Sequence, residues 1–295
     1  MIPDVYLTQW QRLVRWPTMR QVEQDLILAS LMVEIANDPE LGKDWALRGG
    51  TALHKLVLPQ PERYSEDLDY CRQSLGPIGE QIDALRQAGA RLGLERTSYE
   101  ARDRSFRFYF HAPTAHGGKP LRIKVEINQR ETEAKEILRT VPLRVMSPWR
   151  SGTGSVLTYS DEELLASKTR ALFQRRKGRD LFDIWLGVTR LPLDVARVGR
   201  LIAAHYLPGV AREDFLQNLE AKLGDRVFLH DLDPLGPQPP VGYSPQAAGA
   251  IVAERLLSHV PTREGLRVGR RPQDRLPDRT PSQRSAPAPD PLTDT

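Results

Sequence analysis

The chain has 295 residues, a formal net charge of +4 and a pI near 9.2, with 40% hydrophobic and 27% charged residues. That length and composition suit a globular chain of two lobes plus a tail. Its single cysteine, Cys71, excludes an intrachain disulfide framework and a cysteine-based zinc site, and fits a reducing cytoplasm. No run of about 18 apolar residues is present, so no membrane-spanning helix is expected. The N-terminal MIPDVYLTQWQRLVRWP carries no signal-peptide pattern.

Residues 1–17 read as a short amphipathic lead-in. Thr18 and Gln21 have capping-box spacing and open a helix with Val22, Leu26, Ala29, Val33 and Ala36 on one face. Leu41 to Asp44 is a turn, and Trp45 to Arg48 a short strand entering a Gly-Gly break. Thr51 to Val57 reads as a short helix, and Pro59 and Pro61 as a loop. Asp67 to Tyr70, Ser105 to His111 and Leu121 to Ile127 alternate in polarity as half-buried strands do, and residues 78–92 look helical. His116, Gly117 and Gly118 mark a turn between the last two strands. The first half is therefore expected to hold four or five strands in a mixed sheet. Phe106, Phe108 and Phe110 alternate with Arg104 and Arg107, and the phenylalanines read as core.

The second half has few strand signals. Ser160 and Glu163 repeat the capping-box spacing and open a helix to about Arg176; Gly178 breaks it and Asp180 restarts it. Helical stretches follow near 194–206, 212–222 and 245–259. The expected fold class is α+β. A mixed-sheet lobe over 1–150 is followed by a mainly α-helical lobe over 151–260. The Pro/Arg-rich segment 261–295 has too few large apolar residues to offset its ordering entropy and reads as disordered.

Asp67 and Asp69 are one residue apart, which on a strand puts both carboxylates on one face. Two such groups repel each other unless a cation lies between them. Hard oxygen ligands of this kind suit Mg2+, commonly held by one or two carboxylates plus substrate phosphates. Glu126, between Val125 and Ile127 on another expected strand, could add a third carboxylate for two-metal phosphoryl transfer. An Asp-x-Asp pair alone is usually solvated surface. Gly49, Gly50 and Thr51 sharpen the reading, because glycines at a strand-to-helix turn let a ligand approach the backbone and the helix start offers N–H groups to phosphate. Lys168 stands inside an apolar helical run. Lys168, Arg175 and Arg176 are spaced to share a helix face, and Arg179 and Asp183 are spaced for a local ion pair.

These residues also carry a resemblance. Arg48-Gly49-Gly50-Thr51-Ala52-Leu53-His54-Lys55, then Arg63-Tyr64-Ser65-Glu66-Asp67-Leu68-Asp69, resembles the AbiEii/AbiGii nucleotidyltransferase toxins of type IV toxin–antitoxin systems, a branch of the DNA polymerase β-like superfamily. Glu163 to Lys168, Arg170-Ala171-Leu172 and Arg175 to Asp183, with their lysine, arginines and paired aspartates, resemble the family's second block, and Trp16-Pro17 and Gln24-Asp25 its opening. The resemblance implies a polymerase β-like lobe in which Asp67 and Asp69 hold catalytic Mg2+. It implies that Gly49, Gly50 and Ser65 line the triphosphate site, and that Lys168 and Asp183 complete the active site. It implies transfer of a nucleoside monophosphate from an NTP to an acceptor at the 3′ end of tRNA. The cognate partner would be an AbiEi-like antitoxin, and the setting bacterial or phage defence in the cytoplasm, with no membrane association. Transfer to a protein or small molecule, and a non-catalytic binding module, are the alternatives.

Overall fold

The computed structural model describes residues 2–102, 105–115, 119–129, 133–236 and 239–269. The expected turn at His116–Gly118, Arg104 and the tail beyond 269 lie outside the described residues.

The chain opens with α1 (Asp4–Val14) and α2 (Met19–Asn37). Leu7, Trp10 and Val14 form the buried stripe of α1. The Thr18–Gln21 capping box of α2 is reciprocal, with Gln21 N donating to Thr18 Oγ1 and Thr18 N to Gln21 Oε1. β1 (Trp45–Arg48) runs into α3 (Gly49–Ala52), which continues as a π turn over Leu53–Val57. β2 (Asp67–Arg72), α4 (Gly79–Ala90), β3 (Thr97–Arg102), β4 (Ser105–Ala112), β5 (Leu121–Asn128), β6 (Arg139–Met146) and β7 (Ser151–Thr158) follow. The remainder is helical: α5 (Asp161–Gln174), α6 (Gly178–Arg190), α7 (Val195–Leu201), α8 (Arg212–Leu223), α9 (Arg226–Leu229), α10 (Pro245–Arg255) and α11 (Arg263–Gly269).

The strands form one seven-stranded mixed sheet in the order β3-β4-β5-β2-β1-β7-β6. β2 is parallel to β5 and β1 parallel to β7, while the other neighbours are antiparallel. α2 packs on β5, β6 and β7 and carries α1 and α4 beside it. This α+β arrangement has two apolar cores. One gathers the sheet with α1, α2 and α4, and the other gathers the helices from α5 onward. The helix α5 straddles them, since Leu164 joins the first core and Leu165 the second.

Three expectations are corrected. The sheet has seven strands rather than four or five: β3 and β6 are poorly buried strands that sequence reasoning passed over, β6 despite its alternating Val141, Leu143 and Val145, and the small residues of β7 give no alternation. The expected break at residue 150 cuts the sheet, which continues through Thr158, paired with Leu47 across β1 and β7. β7 is rich in small residues because α2 presses on it: a Cβ at Gly152 or Gly154 would stand 3.0 Å from Val33 or Ala36. Finally, order extends past 261. The Pro261 carbonyl accepts from Arg212 N at 2.9 Å, and the Arg263 guanidinium pairs with Asp214 at 2.6 Å, so both hold the start of α11.

Glu163 also departs from the expected capping box. Ser160 Oγ accepts from Glu163 N as a cap should, but the buried Glu163 carboxylate turns away. It accepts from Lys135 N at 2.6 Å, Glu136 N at 3.0 Å and the Tyr206 hydroxyl at 2.8 Å. One side chain thereby ties the segment before β6 and the end of the α7 region to α5. Glu163→Ala leaves these donors without an acceptor, at about 1–3 kcal/mol for each buried one. We expect its urea midpoint to fall sharply while the m-value stays that of the wild type.

Candidate active site

The site is built where β1 and β2 end beside each other. In the antiparallel register Arg48 faces Asp69, and in the parallel register Asp69 faces Glu126 and Asp67 faces Lys124. Asp67, Asp69 and Glu126 therefore stand side by side on one face, with Leu68 and Val125 fully buried on the other.

The glycine bend closes on these acids. Gly49 has φ +76°, which penalises any residue with a Cβ, and a Cβ there would also lie 2.8 Å from Asp69 Oδ2. At Gly50 a side chain would collide with the Arg63 guanidinium. Thr51 does not line the cleft. It is buried, and its hydroxyl donates to the Asp67 carbonyl at 2.5 Å. Ser65 Oγ, 2.7 Å from Thr51 Oγ1, is then the donor to it. This chain of bonds fixes the start of β2 against the glycine bend and leaves Ser65 on the cleft wall.

The opposite wall is cationic and rests on α6. Asp183 is fully buried. Its Oδ1 accepts from Arg63 Nε at 2.7 Å and lies 3.0 Å from His54 Nε2. Its Oδ2 accepts from Arg63 Nη2 at 2.6 Å and lies 3.0 Å from Lys168 Nζ. Glu62 N donates to His54 Nδ1, so the imidazole carries its proton on Nε2 and donates to Asp183. Burial pushes His54 down to about 4, so it is neutral at pH 7. Burial alone would raise Asp183, but Arg63, Lys168 and the His54 bond hold it well below the usual carboxylate range. Asp180, also fully buried, takes Lys168 Nζ at 3.2 Å and both sides of the Arg175 fork at 2.7 and 2.9 Å. Two buried carboxylates thus hold three cations, Arg63, Lys168 and Arg175, all of which line the cleft.

The cleft between these walls has a volume of about 420 Å³ and is lined by Gly49, Gly50, Ser65, Asp67, Asp69, Glu126 and Lys168, as the sequence suggested. Asp183 is not on its surface; it sits behind Arg63 and Lys168. The expected Arg179–Asp183 pair does not form. Arg179 lies 3.7 Å from both Glu66 and Asp231, because Asp183 points inward to Arg63. Arg176 is exposed and pairs with Asp225, away from the cleft that Lys168 and Arg175 share. Arg48, Arg63, Lys124 and Arg170 are lining residues that sequence reasoning passed over. Arg48, Arg63 and Arg170 lay inside the quoted blocks without being given a role, whereas Lys124 carried no signal. A second cavity of about 260 Å³ adjoins through Arg48, Ser167 and Arg170 and adds Lys135, His205 and Tyr206.

Electrostatically the acidic wall is strained. Burial and then the neighbouring Asp67 push the Asp69 carboxyl up to about 6. Glu126 is held below its usual value, against its burial, by Lys124. Among the described residues no three His, Cys, Asp or Glu side chains close into a cage by themselves. Asp67 and Asp69 beside the glycine bend are nonetheless a fitting donor set for Mg2+, which completes its shell with water and phosphate.

The model of the nucleotidyl transferase AbiEii toxin family, of type IV toxin–antitoxin systems, matches residues 30–248. The chain belongs to this AbiEii family. It is a nucleotidyltransferase of the toxin type. No curated protein matches it. Several solved structures share its fold, among them the following two. MenT4, a nucleotidyltransferase toxin from Mycobacterium tuberculosis H37Rv, is 17% identical over 90% of this chain and 93% of its own, with a TM-score of 0.62. JHP933 from Helicobacter pylori is 16% identical over 82% and 93%, with a TM-score of 0.53. Nothing in the AbiEii chain is long and apolar enough among the described residues to form a membrane-crossing helix.

The two walls predict opposite responses. Asp183→Ala leaves Arg63 and Lys168 buried without their shared partner and should cost about 3–5 kcal/mol of stability. Asp69→Asn removes a carboxylate that its surroundings disfavour. The folded value of Asp69 lies above its unfolded one, so its stabilising contribution is complete below pH 4 and is lost as pH rises through 6. In chelator, Asp69→Asn should therefore gain on the wild type by about 1–3 kcal/mol between pH 4 and 7. Equal melting of the two proteins at pH 7 would contradict the repulsion.

Proposed function

We propose that this AbiEii-family enzyme transfers a nucleoside monophosphate from an NTP to the 3′-terminal hydroxyl of tRNA and thereby blocks translation. One observation carries the reading: Asp67, Asp69 and Glu126 face Lys168, Arg63 and Arg175 across a single cleft, with Gly49 and Gly50 at its floor. A polyphosphate laid over the glycine bend meets cations on one side and, on the other, carboxylates that can hold Mg2+.

Asp67 and Asp69, joined by Glu126, would hold the metal. When bound, Mg2+ lowers the pKa of an attacking hydroxyl and offsets the charge of leaving pyrophosphate. The chain's own groups do the rest. Gly49 and Gly50 admit the phosphates to the backbone, and Ser65 offers a hydroxyl beside them. Lys168 supplies a point charge fixed in place by Asp180 and Asp183. The Arg63 guanidinium, held by Asp183 and by the Tyr64 carbonyl, adds a fixed positive charge to the same wall. Arg48, Arg170 and Lys135 outnumber Glu133 in the adjoining cavity, and this net basic surface favours an RNA acceptor over a neutral small molecule. In the cell an AbiEi-like antitoxin would oppose this activity, in a cytoplasmic system of phage defence.

Asp69→Ala should lose both transfer and growth inhibition while its circular dichroism stays native. Purified protein incubated with labelled NTPs and total RNA should label tRNA in the presence of Mg2+. Label appearing in protein or a small molecule would redirect the acceptor. Full activity of Asp69→Ala would remove the carboxylate assignment altogether.

A further inference from the structure

Two lysines face the cleft, and they are held in different ways. Lys168 is 7% exposed, and its ammonium is pinned between the buried Asp180 and Asp183. Lys124 is 28% exposed and pairs with half-buried groups: its ammonium lies 2.5 Å from Asp67 Oδ2 and 3.2 Å from Glu126 Oε2, side chains 28% and 26% exposed. The register explains this placement. Lys124 sits across from Asp67 on the neighbouring parallel strand and two residues before Glu126, so all three share one face.

The oxygens that take this ammonium are those that a divalent cation would use. Three carboxylates cannot stand together without a compensating charge, and Lys124 supplies one. Arg107, 3.4 Å from Glu126, adds a second from the rim. A lysine suits a temporary role here. Its charge is compact and its stem has four carbons, so it can leave without disturbing the strand, unlike a guanidinium fork locked by paired bonds.

We propose that Lys124 is a displaceable internal counter-ion, which neutralises Asp67 and Glu126 in the empty site and gives them up when a divalent cation enters. The proposal rests on the reading of Asp67 and Asp69 as cation ligands and adds a consequence of its own. Lys124 weakens cation binding to the empty enzyme, so the site fills efficiently only when a triphosphate arrives carrying its own cation.

Mn2+ binding to the full-length, nucleotide-free protein, read by the electron paramagnetic resonance of free Mn2+, tests it. Lys124→Gln should bind Mn2+ about tenfold more tightly than wild type, equivalent to about 1.4 kcal/mol. Arg122→Gln removes the same charge from the same face of β5, but Arg122 pairs with Glu100 outside the cleft, so its effect should stay below about twofold. A second readout needs no variant. Amine acetylation of the wild type, mapped by mass spectrometry, should rise at Lys124 on adding Mn2+ and stay constant at Lys168. Equal Mn2+ affinity of wild type and Lys124→Gln, an equal gain in Arg122→Gln, or Lys124 acetylation indifferent to Mn2+ would each overturn the counter-ion role while leaving the metal site standing. Failure of both wild type and Lys124→Gln to bind Mn2+ would sink the proposal and the metal reading together.

Discussion

Asp180 and Asp183 are carboxylates with no access to water, and the cleft takes its form from what they require. Burying an ionised carboxylate costs several kcal/mol unless cations and hydrogen bonds replace its water. α6 meets that cost by drawing in Arg63 from the loop before β2, Lys168 from α5 and Arg175 from the turn before α6 itself. An apolar pair in the same place could be equally stable. It would not bring three cations to one wall. The arrangement is better understood as a device for aiming charge than as a source of stability.

The facing wall has the reverse character. β2 and β5 set carboxylates next to one another with a single lysine among them, and the elevated Asp69 value records their mutual repulsion. A cleft with one strongly acidic wall and one strongly basic wall has little use for a neutral ligand. It matches a polyanion that carries divalent cations on one flank, which is the form in which an NTP circulates. Family membership and geometry thus meet on the same chemistry by separate routes.

Much of this was legible in the sequence where a residue's role is local. The Thr18 capping box, the glycine bend and the Asp-x-Asp strand depend on near neighbours, and each stands where its spacing placed it. What escaped was set by distant partners. β7 reads as Ser-Gly-Thr-Gly-Ser because α2 leaves no room for side chains there, so no alternation marks it as a strand. Arg179 and Asp183 have ideal helical spacing, yet Asp183 turns inward to an arginine that lies 120 residues earlier. Lys124 became part of the site only through parallel pairing with β2. Glu163 has the spacing of a capping box but is claimed by backbone groups 27 and 28 residues earlier.

The helix that begins at the glycine bend does not stay with the sheet. Its π turn carries Leu53 into the helical core, Leu58 follows it there, and His54 reaches Asp183. The glycine bend is thus nailed to both halves of the molecule at once, and α5 bridges them a second time. A substitution at Leu53 or Leu58, far from any ligand, would therefore be felt at the bend itself, because the helical core holds that segment in place.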